Sequence, residues 1–209
     1  MKKGLLITFE GAEGSGKSTQ IQSAYEFLST TKKNVFLLRE PGGVKISEKI
    51  RDILLDVASE EMGPECETLL YMAARAQLVK EIIKPALQEG KIILCDRFLD
   101  STIVYQGCGN GVDISLIKKI GAFATKGIEP NLTLVFDVEA EEGLSRIKRA
   151  KDRIESRSLD YHNRVREGYL DLAKENPGRI KVISAHQTKE KIQAIVRKYI
   201  EELLLKNVS

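Results

Sequence analysis

A chain of 209 residues is long enough for one domain with a sizeable buried core. With 42% hydrophobic and 30% charged residues, its composition excludes a disordered segment and a fibre. The 33 basic and 30 acidic residues leave a net charge of +3, too mild to argue for a nucleic-acid partner, so none is expected.

Gly4–Phe9 is apolar and partly β-branched, the pattern of a buried strand. Met1–Lys3 before it is basic, but the apolar run is too short for a leader peptide and leads straight into a glycine-rich turn. That turn, Gly11-Ala12-Glu13-Gly14-Ser15-Gly16-Lys17-Ser18, has the spacing G-x-x-x-x-G-K-S. Thr19–Ser29 follows with Ile21, Ala24, Tyr25 and Leu28 on one helical face. Strand, glycine turn and helix together form the context in which this spacing cradles phosphate. Backbone N–H groups and the positive helix end meet the anion. Lys17 can reach the β- and γ-phosphates, and the Ser18 hydroxyl can sit on Mg2+. Gly11 through Thr19 are therefore the expected ATP-binding residues: Gly11, Ala12, Glu13, Gly14, Ser15, Gly16, Lys17, Ser18 and Thr19.

Asn34–Arg39 reads as the second strand, broken by Glu40-Pro41-Gly42-Gly43. Arg39 at that strand end can hold a phosphate with its planar fork, or can be an ordinary surface arginine beside a turn. Lys45–Val57 is amphipathic. Gly63-Pro64 opens a long helix to about Gln88, kinked near Pro85 and ended by Gly90. On it Tyr71 and Arg75 share a face, where a ring can stack a base and an arginine can bond its edge, or where the ring simply fills the core.

Ile92–Cys95 is the third strand, with Asp96-Arg97 at its carboxyl end. There Asp96 could hold Mg2+ or its waters and Arg97 a second phosphate. A short helical segment reaches Tyr105, Gly107–Gly111 reads as a mobile loop, and Asp113 caps a helix to about Thr125. Leu132–Phe136 is the fourth strand, ending in Asp137. Glu141–Arg149 is predicted helical, Lys151–Ser158 a charged loop or lid, and Leu159–Glu175 a helix stopped by Asn176-Pro177-Gly178. Ile180–Ser184 is the fifth strand and Thr188–Leu205 the last helix.

Alternating strands and helices predict an α/β fold, a five-stranded parallel sheet with helices on both faces, in one domain over residues 1–209. Ligands should gather at the carboxyl edge, which carries Glu10–Ser18, Arg39–Gly43, Asp96–Arg97 and Asp137. A basic cluster from Arg146 to Arg166 suggests a small anionic ligand or a solvated helix. Cys66, Cys95 and Cys108 fit neither a zinc pattern nor a closed disulfide set and read as reduced thiols of a cytoplasmic protein. No apolar stretch approaches a membrane span. His162 and His186 are assigned no role.

Taken together, F-E-G-A-E-G-S-G-K-S-T at 9–19, R-E-P-G-G at 39–43, L-L-Y-M-A-A-R at 69–75, D-R-F-L-D-S-T-I-V-Y-Q-G at 96–107 and D-R-I-E at 152–155 carry a resemblance. Over nearly its whole length the chain resembles thymidylate kinase of the bacterial type. The resemblance implies a P-loop nucleoside monophosphate kinase fold with a lid at about 149–158. It implies phosphorylation of dTMP to dTDP with ATP and Mg2+, in dTTP biosynthesis. Glu13 would contact the acceptor sugar, and Arg39 and Arg97 its phosphate. Arg75 would meet the thymine edge. Pro41, Tyr71, Ser101, Thr102, Tyr105 and Gln106 would line the base and sugar pocket. The Glu40–Pro41 bond would be cis. Lys17 and Arg97 would act in the transfer, Mg2+ resting on Ser18 and, through water, on Asp96. Among the lid arginines, Arg153 is the first choice for the transferring phosphoryl group and Arg149 the second; Arg146 would stack on adenine. The family usually has phenylalanine where this chain has Tyr71, and a hydroxyl there needs a partner or water.

No general base is required, because an acceptor phosphate is already ionised at neutral pH. A homodimer is expected through the apolar faces of residues 64–88 and 45–57. Other readings are a kinase for uridylate, deoxyuridylate or guanylate, a GTP-binding switch, and a non-catalytic binding module. A GTP switch lacks support because the chain has no N-K-x-D guanine-reading motif.

Overall fold

Buried apolar strands set the frame in the computed structural model, which describes residues 4–31 and 34–207. The basic start Met1–Lys3 lies outside them. β1 (Leu5–Glu10) is buried along its whole length. It pairs in parallel with β3 (Ile92–Asp96) and with β4 (Leu132–Asp137). β2 (Val35–Arg39) and β5 (Ile180–Ser184) complete the five-stranded order β2-β3-β1-β4-β5. Side chains alternate across the sheet. Leu5, Ile7 and Phe9 pack with Ile21, Leu28, Ile192, Val196 and Ile200 of α1 (Lys17–Thr30) and α9 (Lys189–Lys206). Leu6, Ile93 and Cys95 face the other way, against Leu78, Val79 and Ile83. Helices α2 (Lys45–Leu55), α3 (Pro64–Leu78), α6 (Ile114–Thr125) and α8 (Leu159–Glu175) cover that second side. Both faces are thus sheathed, as continuous apolar strands require.

Three local expectations change. The long helix does not run unbroken to about Gln88 as a single α-helix. Here α3 passes through a π-helical turn, Val79–Ile83, into α4 (Lys84–Gln88). Pro85 brings no N–H and crowds the turn before it, and a widened turn just ahead removes that conflict. Gly107–Gly111 is not a free loop. A short α5 (Leu99–Thr102) runs into a second π turn, Ile103–Gly109, where Gly107 and Gly109 are buried. A Cβ on Gly109 would lie 2.5 Å from the Tyr161 ring, so glycine there permits close packing on α8. Finally, α7 is short (Ala140–Ser145), and Arg146 stands at its carboxyl end rather than within it.

All three cysteines are free thiols, with Cys95 buried in β3. Among the described residues, no helix is long and apolar enough to cross a membrane.

Candidate active site

The chain leaves β1 at the centre of the sheet, where strands are added to either side, and a crevice opens there at the carboxyl edge. The glycine turn fills it. Gly14 and Gly16 take φ of 67° and 83°, left-handed values that a side chain resists. Lys17 folds back over the turn, its Nζ donating to the carbonyl oxygens of Gly11 at 2.9 Å and Ala12 at 3.0 Å. Burial lowers its pKa, and the nearby Arg97 charge adds to the effect.

Two cavities flank this turn. The first is lined by residues including Arg39, Pro41, Tyr71, Asp96, Arg97, Ser101, Thr102, Tyr105 and Gln106. The second is lined by Gly14–Thr19 and by Arg146 to Arg149. Glu13, Lys17, Ser18, Arg149 and Glu155 belong to both, so the cavities meet over the lysine.

Arg97 is the hub of the first cavity. Its backbone sits at φ 70°, a conformation uncommon for a side-chain-bearing residue, and its N–H donates to the Phe9 carbonyl. Its guanidinium pairs with Glu13 at 2.6 Å, donates to Ser101 Oγ and Tyr169 Oη, and lies 4.8 Å from the centre of the Tyr105 ring. Tyr105 in turn donates to Glu13 at 2.8 Å. Burial alone would raise the Glu13 carboxyl, but Arg97, Lys17 and the Tyr105 hydroxyl outweigh it and hold the pKa at about 2. Behind them lies Glu10, fully buried and accepting from the Phe98 N–H, Ser101 Oγ and Tyr169 Oη. Burial, with Asp100 nearby, pushes its carboxyl up to about 7 despite those bonds and Arg97.

Other expected residues are placed as follows. Arg39 is half exposed at the cavity rim, paired with Glu48 at 2.8 Å beside the cis Glu40–Pro41 bond. Tyr71 lines the cavity, and among the described residues its hydroxyl has no hydrogen-bond partner. Asp96 presents a buried oxygen, Oδ1, that likewise has no partner. Arg146 donates to the Gly14 carbonyl at 3.1 Å on the second cavity's floor. Asp137 is drawn to Arg166 at 2.6 Å and lines neither cavity.

Two arginines are not brought to the cavity surface. Arg75 stands one layer behind the wall, 2% exposed, bonded to Glu40 at 2.7 Å, to Thr102 Oγ1 at 2.8 Å and to the Phe98 carbonyl at 2.9 Å. Arg153 turns away from both cavities into a buried pair with Glu67. Of the two lid arginines, the structure brings Arg149 to the junction. The register of a charged loop cannot be read from residue order alone, since a distant carboxylate chooses the arginine it buries.

Residues to which the sequence assigned no individual role also shape the cleft. Glu40, Arg51, Leu55, Asp152, Ile154 and Glu155 line the first cavity. Glu10 ends an apolar strand, and a carboxylate at that position was the available signal. Tyr169 sits mid-helix and offered none.

The family profile described as thymidylate kinase matches residues 9–196. The thymidylate kinase of Bacillus licheniformis is 43% identical over 208 residues, covering 98% of each chain. That of a Thermoanaerobacter species is 47% identical over 203 residues, covering 95% of this chain and all of its own. A crystal structure of thymidylate kinase from Ehrlichia chaffeensis superposes with a TM-score of 0.78 at 36% identity, covering 95% of this chain and 99% of that one. With a matching profile over most of its length and relatives this similar end to end, the chain belongs to the thymidylate kinase family.

Proposed function

We propose that this chain transfers the γ-phosphoryl group of ATP to dTMP, giving ADP and dTDP, in the cytoplasm as a step towards dTTP. The observation that carries the reading is the junction of two cavities over Lys17, one walled by backbone amides and the other by arginines. ATP lies along the glycine turn with adenine near Arg146. dTMP lies opposite, its ring beside Tyr71, its sugar at Glu13 and Tyr105, and its phosphate between Arg39 and Arg97. Arg75 acts on the base edge from behind, by fixing Thr102. Phosphoryl transfer asks for alignment and charge neutralisation rather than covalent help. Arg97, held at four points, aligns the attacking oxygen, and Lys17 neutralises the donor phosphates. Arg149, not Arg153, is the lid arginine on the moving group.

The residues fit a magnesium ion. Asp96 Oδ1 is buried and lacks a partner among the described residues, and Ser18 lines the same cavity. Among the described residues no cluster of three or more ligating side chains exists, so most ligands come from phosphate and water. Ser18 would hold the ion directly and Asp96 through water; it supplies charge neutralisation on the donor phosphates.

A coupled ADP assay with dTMP, dUMP, UMP and dGMP tests the assignment. Rapid ADP release with dTMP and little with the others is expected. Turnover of dUMP but not dTMP would remove it. We further propose that the protein is a homodimer through α2, α3 and α6, which share an exposed apolar face.

A further inference from the structure

Glu67, in the first turn of α3, is fully buried yet lines neither cavity. A buried carboxylate persists only when its charge and lone pairs are matched. Here Oε1 accepts from Gln106 Nε2 and Asn110 Nδ2, both at 2.9 Å. Oε2 accepts from Arg157 Nη2 at 2.6 Å and lies 2.6 Å from Arg153 Nη2, an ion pair off the hydrogen-bond axis. One carboxylate thus joins α3, the end of the second π turn and the lid.

The lid end of this knot leads to the junction of the cavities. Arg153 is gripped from its other side too, its Nε donating to the Leu54 carbonyl at 2.8 Å and its backbone N–H to that of Leu55. Around it Asp152 Oδ1 accepts the N–H groups of Ile154 and Glu155, which closes a tight turn. The turn presents the Glu155 carboxylate to Arg149, whose two terminal nitrogens donate to it at 2.6 and 2.8 Å. Arg149 is otherwise 63% exposed and, among the described residues, bonded only to the neighbouring Ala150 carbonyl. Its place therefore depends on Glu155, and that of Glu155 on the buried Arg153. The other end of the knot reaches the acceptor: Gln106 lines the first cavity, and Tyr71 follows Glu67 by one turn of α3.

We propose that Glu67 is a positioning residue that straps the root of the lid to the acceptor pocket, so that Glu155 offers Arg149 to the transferring phosphoryl group. The inference rests on the reading of Arg149 given above. A strap of this kind couples filling of the acceptor pocket to lid order, and it limits transfer to water while the lid is closed.

A double-mutant cycle of Glu67→Gln with Arg149→Gln tests it, with kcat, the KM for each nucleotide and the ADP formed per dTDP as readouts. Thermal unfolding verifies that each variant folds cooperatively. Glu67→Gln alone should lower kcat on the order of a hundredfold, as misplaced transfer groups do. It should also raise the ADP-to-dTDP ratio above one. In the Arg149→Gln background the same change should cost less than about threefold, because its target is already gone. Equal losses in both backgrounds would overturn the inference and leave the role of Arg149 standing. An unchanged kcat in Arg149→Gln alone would overturn that role and the inference with it. If Glu67→Gln does not fold, Arg153→Gln takes its place in the cycle, since it cuts the strap while Arg157 still balances Glu67.

Discussion

Glu10 and Glu13 stand three residues apart and titrate in opposite directions. Both are held away from water, which favours the neutral acid. At Glu13 the charges of Arg97 and Lys17 win, and the carboxyl stays ionised with a pKa of about 2. At Glu10 burial and Asp100 win, and the pKa rises to about 7. The Glu10 shift has a consequence for stability. Between its ordinary value near 4.5 and about 7 the native carboxyl keeps a proton that the unfolded chain has released. Stability therefore falls as pH rises through that window, by about 3 kcal/mol for a shift of this size. The Glu13 contribution has the opposite sign and a lower window: it is present above pH 4.5 and lost on the way down to about 2. Urea unfolding at pH 5 and pH 8 should show a decline in the wild type that is clearly smaller in Glu10→Gln, where the remainder comes from buried carboxyls such as Glu40 that burial also pushes up. Matching slopes in the two proteins would remove the argument. Nothing in the residue order foretold this contrast, because Asp100 and Arg97 reach the two carboxylates only through folding.

The glycine turn was the most legible element, since its spacing states the backbone it needs. Its glycines nevertheless do different work. A Cβ at Gly14 would sit 1.9 Å from the Gly143 carbonyl, against the backbone of α7. At Gly16 nothing lies within 4 Å, and only the left-handed φ of 83° opposes a side chain. Gly16→Ala should therefore cost about 1 kcal/mol of backbone strain. Gly14→Ala adds overpacking, for a total of roughly 3 kcal/mol, and displaces α7 from the turn. Thermal unfolding with and without ATP distinguishes them: Gly14→Ala should lose both melting temperature and ATP protection. Equal effects at the two sites would refute the packing account. Strands and long helices were legible for the same reason as the turn, because a continuous apolar run and a period of 3.6 residues are local properties. The π turns were not, since a widened turn keeps an apolar helical pattern and differs only in its hydrogen bonds. Gly107 and Gly109 misled because glycine signals a loop as readily as close packing, and only the side chains opposite, Ile114 at Gly107 and the Tyr161 ring at Gly109, decide between them.

Across the whole molecule, the pattern of alternating strands and helices brought Lys17, Arg39, Asp96 and Arg97 to one edge of the sheet, while individual side-chain partners were settled by contacts distant in sequence. Arg75 and Arg153 illustrate this: Glu40 and Glu67 bury them 35 and 86 positions away in the chain, and no spacing rule reaches that far. The same scale governs assembly. Helices α2, α3 and α6 lie side by side on one flank and leave large apolar side chains in water, among them Ile46, Ile53, Leu69, Leu116 and Phe123. Phe123 is 85% exposed, and contiguous exposed apolar patches of this kind mark interaction sites. A stable symmetric contact buries roughly 800 Å² on each partner, about what three adjacent helices can supply. Sedimentation equilibrium should therefore give twice the 23.4 kDa of one chain. Phe123→Glu places a charge in the apolar contact on each partner and should shift the mass to that of one chain with its circular dichroism unchanged. A wild-type protein that sediments as a single chain at micromolar concentration would leave this face without the proposed partner. A Phe123→Glu protein that stays dimeric would move the interface elsewhere on the surface.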